Sequence, residues 1–112
     1  MNINELVEKA HKNAVAKGFW EYYEGLFKDK NLVDKQQVNC AIGNMLMLIV
    51  SELGEALEAL RKDDWDNFRE ELADVAIRLG DLCGGLDIDL KAEIIKKMDK
   101  NSKRPYKHGK EF

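Results

Sequence analysis

Residues 38–82 read VNCAIGNMLMLIVSELGEALEALRKDDWDNFREELADVAIRLGDL, and the acids inside that stretch decide how the rest of the chain is understood. They fall in two pairs, Glu52-x-x-Glu55 and Glu71-x-x-Asp74, with Glu71 sixteen residues after Glu55. Residues three apart on a helix share a face, so each pair aims two carboxylates the same way. Two such helices packed antiparallel bring four acids together. Four close carboxylates repel one another unless a cation sits among them, and all-oxygen ligation is what Mg²⁺ prefers, with Mn²⁺ as a substitute. Glu52, Glu55, Glu71 and Asp74 are therefore the candidate metal ligands.

Helical-wheel geometry sharpens this expectation. Val38, Ala41, Ile42, Met45, Leu48, Ile49, Ala56 and Ala59 form one apolar stripe. Glu52 falls within about 20° of the centre of that stripe, where a leucine is expected. Glu55 lies on its flank, and Glu71 and Asp74 border the stripe of Phe68, Leu72, Val75, Leu79 and Leu82. A carboxylate on an apolar face is costly unless it is paired, neutralised or coordinated. A structural ion pair explains one such glutamate as readily as a metal does. For four acids in two matched pairs it explains less, because no equal set of cations faces them in the sequence.

The bulk properties narrow the class. A chain of 112 residues makes one domain, 1–112, with a modest core, near the size where oligomerisation helps. Hydrophobic content of 45% beside 35% charged residues excludes a disordered chain and fits a helix-rich soluble one. The single proline, Pro105, leaves room for long helices. A net charge of −3 argues against a general nucleic-acid binder. Cys40 and Cys83 belong to no C-x-x-C or Cys/His cluster and read as small core residues in a reducing cytoplasm. The longest unbroken apolar run, Met45–Val50, is far short of a membrane span. Glu5, Glu8 and Lys9 leave the N-terminus without a signal-peptide core. The expectation is a cytoplasmic protein with neither nucleic acid nor membrane as partner.

Periodicity predicts an all-α bundle of about four to five helices. Ile3–Lys17 reads as the first, with Asn2 or Asn4 as its cap. Gly18 interrupts it, and for the aromatic segment from Phe19 to Asn31 helix, loop or a mixture all fit. Asp34 is placed to cap a long helix over Lys35–Leu60, and Asp63 or Asp64 to cap another over Trp65–Leu82. The short turn Arg61–Asp64 between them implies an antiparallel pair. Gly84-Gly85 ends that helix. Asp87 or Asp89 starts a last one, with Leu90, Ile94 and Met98 toward the core, and Pro105 stops it at or before Arg104.

The C-terminus is basic. Lys96, Lys97, Lys100, Lys103, Arg104, Lys107 and Lys110 stand against the lone acid Asp99 over residues 96–110. Lys97, Asn101 and Arg104 share a helical face suited to phosphate oxygens. A solvated basic tail is the plain reading. An acid–metal cluster in the same small chain shifts the balance, because metal on one side and cations on the other is how proteins grip a polyphosphate. Tyr106 and Lys110 lie beside Gly109 in an extension placed to close over a ligand, while His108 reads as an ordinary surface histidine. Trp20, set among aromatics outside a clean amphipathic pattern, is the candidate to stack on a nucleobase. Asn44, two turns before Glu52, is the candidate to read a base edge.

The run Ser51–Leu82 followed by KKMDKNSKRPYKHGK at residues 96–110 resembles the MazG-like all-α nucleoside triphosphate pyrophosphohydrolases. The family's E-x-x-E, spacer and E-x-x-D match Glu52, Glu55, Glu71 and Asp74, and its later Lys-x-x-x-Asn and Arg match Lys97, Asn101 and Arg104. The resemblance spans roughly Met45 to Lys110. It implies a helical homodimer or dimer of dimers that holds Mg²⁺ through the four acids. It also implies hydrolysis of a nucleoside triphosphate between the α and β phosphates. Many members carry a further Glu just before the first motif, where this chain has Ser51. Glu52 or Glu55, or another carboxylate, must then accept the proton, unless metal alone activates the water. Glu70 is a spare acid that points to the other side of its helix.

Three rivals remain in the sequence. A phosphoribosyl-ATP pyrophosphatase has similar acids, but KRPYKHGK fits the nucleotide-hydrolase branch better. A di-iron bundle needs two Glu-x-x-His motifs, and Glu8-x-x-His11 supplies one. A non-catalytic helical interaction module would bind no Mg²⁺ and turn over no nucleotide. On a face opposite the main stripe, Met47 and Val50 would be exposed in a monomer, which adds to the expectation of a homodimer at least.

Overall fold

The computed structural model describes residues 1–28 and 35–111. The described residues form five α-helices and no strand: α1 Ile3–Ala16, α2 Glu21–Lys28, α3 Lys35–Arg61, α4 Trp65–Gly85 and α5 Leu90–Ser102, with a short 3-10 turn at Tyr106–Gly109. The expected cap at Asp34 lies outside the described residues, as does the end of the aromatic segment at Asn31. Within that segment, Glu21–Lys28 is helical.

Where the sequence left two capping residues open, the structure selects one. Asn2 accepts from the Glu5 amide at 2.8 Å and starts α1. Asp64 accepts from the Asn67 amide at 3.1 Å to start α4, while Asp63 takes a positive φ of 55° inside the turn. Asp89 accepts from the Ala92 amide at 3.0 Å to start α5, and Asp87 turns the chain with φ 60°. Both turns leave a short aspartate in the left-handed region, where only a few side chains are tolerated.

α3 and α4 form the antiparallel pair at the centre. α1 packs along α4, α2 along α3, and α5 lies chiefly on α1. The buried side of α3 is made by Ala41, Met45, Glu52, Ala56 and Ala59, so Glu52 does sit in the apolar stripe. Cys83 is buried, but Cys40 is exposed, which corrects its reading as a core residue: it falls off that stripe. α5 has no buried residue, and Met98 is 65% exposed rather than core-facing, because α5 has one principal neighbour and turns this side away from it.

α4 also runs through Gly84 and Gly85 instead of ending before them. These glycines allow close approach. A Cβ on Gly84 would lie 2.5 Å from Cβ of His11, and one on Gly85 would lie 2.0 Å from Cη2 of Trp20. Gly80 differs: a Cβ there would meet Leu6 and Ala10 at 3.4 and 3.6 Å, an ordinary contact.

Much apolar surface stays uncovered. Met47, Val50, Leu53 and Leu57 on α3 are each about half exposed or more, as are Trp65 on α4 and Ile95 on α5. By length and apolarity alone α3 would be long enough for a membrane span, but it lies against α4 and carries Glu52 on the contact side. The radius of gyration, 16.8 Å, exceeds the roughly 13 Å of a compact chain of this length.

The glycine contacts give the first prediction. Gly85→Ala overpacks the indole of Trp20 and should destabilise the protein by about 1–3 kcal/mol, read from the urea midpoint. Gly25→Ala, in a helix with nothing near the added methyl, should stabilise by about 0.5–1 kcal/mol. A stabilising Gly85→Ala would contradict the packing described.

Candidate functional site

The α3–α4 pair brings three of the four acids into one cluster. Glu52 and Glu55 on α3 and Glu71 on α4 each offer an oxygen within 4.8 Å of the others. Glu52 is buried, Glu71 half-buried and Glu55 exposed. Asp74, one turn beyond Glu71, is outside this triplet and lines a cavity together with Glu52. Ser51 does not join them: its hydroxyl donates to the Leu48 carbonyl at 2.7 Å. Glu70 is exposed.

One cation faces the acids, and not an equal set of them. Arg78, one turn past Asp74, donates from Nε to Oε1 of Glu52 at 2.8 Å. The pair is partly open to water, with the Arg78 side chain 42% exposed, so its net worth is about 0–1 kcal/mol. One arginine does not balance three carboxylates. Its hydrogen bond holds Glu52 below the usual carboxylate range against the opposing effect of burial. Glu71 goes the other way. Desolvation first, then hydrogen bonding to Glu52 and Glu55 and their negative charge, push it up to about 7. The metal-free cluster therefore relieves its repulsion by keeping a proton on Glu71.

Oε2 of Glu71 is enclosed and has no hydrogen-bond partner among the described residues. An all-carboxylate set with an enclosed, unpartnered oxygen fits a hard divalent cation. Glu52, Glu55 and Glu71 would hold it, with Asp74 alongside.

The cavity beside the acids has a volume of about 400 Å³ and is walled by α1, α2, α3 and α4. Phe19, Trp20 and Tyr23 form an aromatic side, and Asn13, Arg78 and Asp81 join Glu52 and Asp74 as polar lining. Trp20 is 5% exposed and donates from Nε1 to Oδ1 of Asp81 at 2.7 Å. His11 approaches the same oxygen through Nδ1 at 3.0 Å and meets the Trp20 ring edge-on at 4.9 Å. Trp20 is thus in the cavity wall, where a base could lie against it.

Asn44 lines a neighbouring cavity instead and donates to the Tyr23 hydroxyl at 2.9 Å. None of Lys97, Asn101, Arg104, Tyr106 and Lys110 lines the cavity that holds Glu52 and Asp74. Within one chain the structure does not bring the basic face to the acids. Oδ1 of Asn101 is enclosed without a partner among the described residues, while Tyr106 is 89% exposed.

Sequence reasoning stopped at Asp74 and missed Arg78 and Asp81. The signal was present: residues 71, 74, 78 and 81 step by three, four and three, which is one continuous helix face. His11 was weighed as half of a Glu-x-x-His motif, whereas it serves Asp81.

The family model for the MazG nucleotide pyrophosphohydrolase domain matches residues 42–108. The chain belongs to the MazG family. That span holds every acid of the cluster, the basic face of α5, and Arg78 and Asp81. Comparison with curated proteins and with solved structures finds no match.

The pH dependence has a defined sign. Glu71 holds its proton to about 7 when folded but has an ordinary value of 4.5. Between those values the folded state binds more protons than the unfolded one, so stability falls as pH rises. Glu52 contributes stability above 4.5 that is lost as pH falls through its lowered folded value. In chelator, the melting temperature should fall from about pH 5 to about pH 7 through Glu71. Divalent metal should oppose that fall, because its ligands must be deprotonated. A metal-free melting temperature that climbs across this window would contradict the reading.

Proposed function

We propose that this MazG protein is a Mg²⁺-dependent pyrophosphohydrolase that cleaves a nucleoside or deoxynucleoside triphosphate to the monophosphate and pyrophosphate, with control of the nucleotide pool as its duty. The observation that carries the reading is the acid triplet on α3 and α4 with the enclosed oxygen of Glu71, directly beside a nucleoside-sized cavity.

A divalent cation held by these acids supplies positive charge opposite the phosphates and makes water a better nucleophile. The rest falls to the chain's own side chains. Glu52 is held by Arg78 and is fixed as a ligand rather than a base. Glu55, exposed at the edge of the cluster and belonging to the same α3 turn, takes the proton of the attacking water. The water oxygen bonds to the α-phosphorus as its bond to the bridging oxygen breaks, and the electron pair leaves with pyrophosphate. Trp20 and its aromatic neighbours hold the base end and exclude water.

Lys97, Asn101 and Arg104, with Tyr106 and Lys110 beyond them, are assigned to the phosphates. Because they do not line their own chain's cavity, the proposal places that role in a homodimer or dimer of dimers, where one protomer's tail meets its partner's acids. The uncovered leucines and methionine of α3 support the assembly, since they form a continuous apolar side on a helix that has charged residues to spare elsewhere.

A Mg²⁺-supplemented screen of canonical and modified triphosphates tests the chemistry. Monophosphate and pyrophosphate should appear in equal amounts, and Glu55→Gln should lower turnover by about 10²–10⁴-fold. Orthophosphate and a diphosphate would show that the wrong phosphorus was chosen. Light scattering at micromolar protein should give at least a dimer mass; a strict monomer would remove the shared site.

A further inference from the structure

The far end of the cavity carries a group that the hydrolysis itself does not use. Asp81 lies on the same face of α4 as Asp74, two turns further on, about 10 Å along the axis at 1.5 Å per residue. A nucleotide whose phosphates reach the acids of α3 and α4 would bring its base to this end.

Both structural donors converge on one oxygen of Asp81. Trp20 Nε1 and His11 Nδ1 each lie within hydrogen-bond distance of Oδ1, at 2.7 and 3.0 Å. An ionised carboxylate only accepts, so His11 must carry its proton on Nδ1. With two donors, Oδ1 is filled. No donor among the described residues reaches the other oxygen, Oδ2, and it is not enclosed: Asp81 lines the cavity with its side chain 24% exposed. Trp20 is itself fixed against Gly85, and that contact limits how far the pair can shift. The carboxylate is therefore oriented, with one oxygen committed to the wall and one left to a ligand.

We infer that Asp81 selects a nucleobase that presents an exocyclic amino group at the position opposite the sugar, a 4-aminopyrimidine or a 6-aminopurine, and disfavours the 4-oxo and 6-oxo bases. This rests on the reading of the site as a triphosphate pyrophosphohydrolase. An amino hydrogen completes Oδ2, whereas a ring carbonyl at the same place sets acceptor against acceptor and leaves both unpaired. A site built on such a contact rejects the mismatched ligand strongly, because the buried polar group then has no partner. Trp20 and His11 act as positioning residues, since they orient Asp81 and do not themselves read the base edge.

The test uses the full-length chain with Mg²⁺ and compares kcat/KM for dCTP and dATP with that for dUTP, dTTP and dGTP, in wild type and Asp81→Asn. Asparagine keeps an oxygen for Trp20 and His11 and turns an amide donor toward the ligand. Wild type should favour at least one of dCTP and dATP over every oxo base by tenfold or more. Asp81→Asn should shrink that ratio at least tenfold, with turnover of dUTP or dTTP rising in absolute terms, which a merely structural loss would not produce. Equal turnover of all five, a wild-type preference for an oxo base, or an unchanged ratio in the variant would overturn the inference while leaving the hydrolase reading in place. Failure of every triphosphate to yield pyrophosphate would overturn both. Should the variant not fold, by far-ultraviolet circular dichroism, the wild-type ranking alone decides in the same terms.

Discussion

Mutual repulsion among Glu52, Glu55 and Glu71 is the constraint on which the rest of the structure depends. The α3–α4 pair forces their oxygens within 4.8 Å of one another. Two partial remedies are visible without metal: Arg78 neutralises one side of Glu52, and a proton affinity raised to about 7 neutralises Glu71 below that pH. Neither satisfies the enclosed Oε2 of Glu71. Hydrophobic burial along α3 and α4 holds the acids in place against their repulsion, and a cation is the group that would turn that cost into binding. The acid cluster is thus a strained point in an otherwise ordinary helix pair.

The apolar surface outside that pair bears on how the site is completed. α3 uses one stripe against α4 and leaves Met47, Val50, Leu53 and Leu57 on other sides. α5 rests on α1 and holds its basic residues away from the cavity. The proposed second protomer, set over the free sides of α3, would account for both facts at once; the single chain by itself is extended, with a radius of gyration of 16.8 Å.

What could be read in the sequence follows from how local its cause is. Helix positions, the aspartate and asparagine caps, and the acid pairs all depend on neighbours three or four residues away, so periodicity and capping chemistry reached them. Glu52 stood out because a charge interrupts an apolar stripe. Arg78 and Asp81 did not, although they continue the same face of α4, because their meaning comes from α3 and α1 across the gap. Asp81 meets His11 and Trp20 only where Gly84 and Gly85 let α1 and Trp20 close on α4. As sequence, those glycines look like a helix end. Cys40 and Met98 were misplaced because their helices have neighbours on fewer sides than a full bundle supplies.

The central claim, that the acids are arranged for a cation and not for each other, is tested most directly by Mn²⁺ titration followed by electron paramagnetic resonance on wild type and Glu71→Gln, with melting of both in chelator. The account predicts saturable Mn²⁺ binding to wild type, competed by Mg²⁺ and largely lost in Glu71→Gln. It also predicts that the variant melts no lower than wild type without metal, since the substitution removes a charge that the cluster must otherwise protonate. A wild type that binds no Mn²⁺, or a variant that melts well below it in chelator and still binds Mn²⁺ as tightly, would contradict the account.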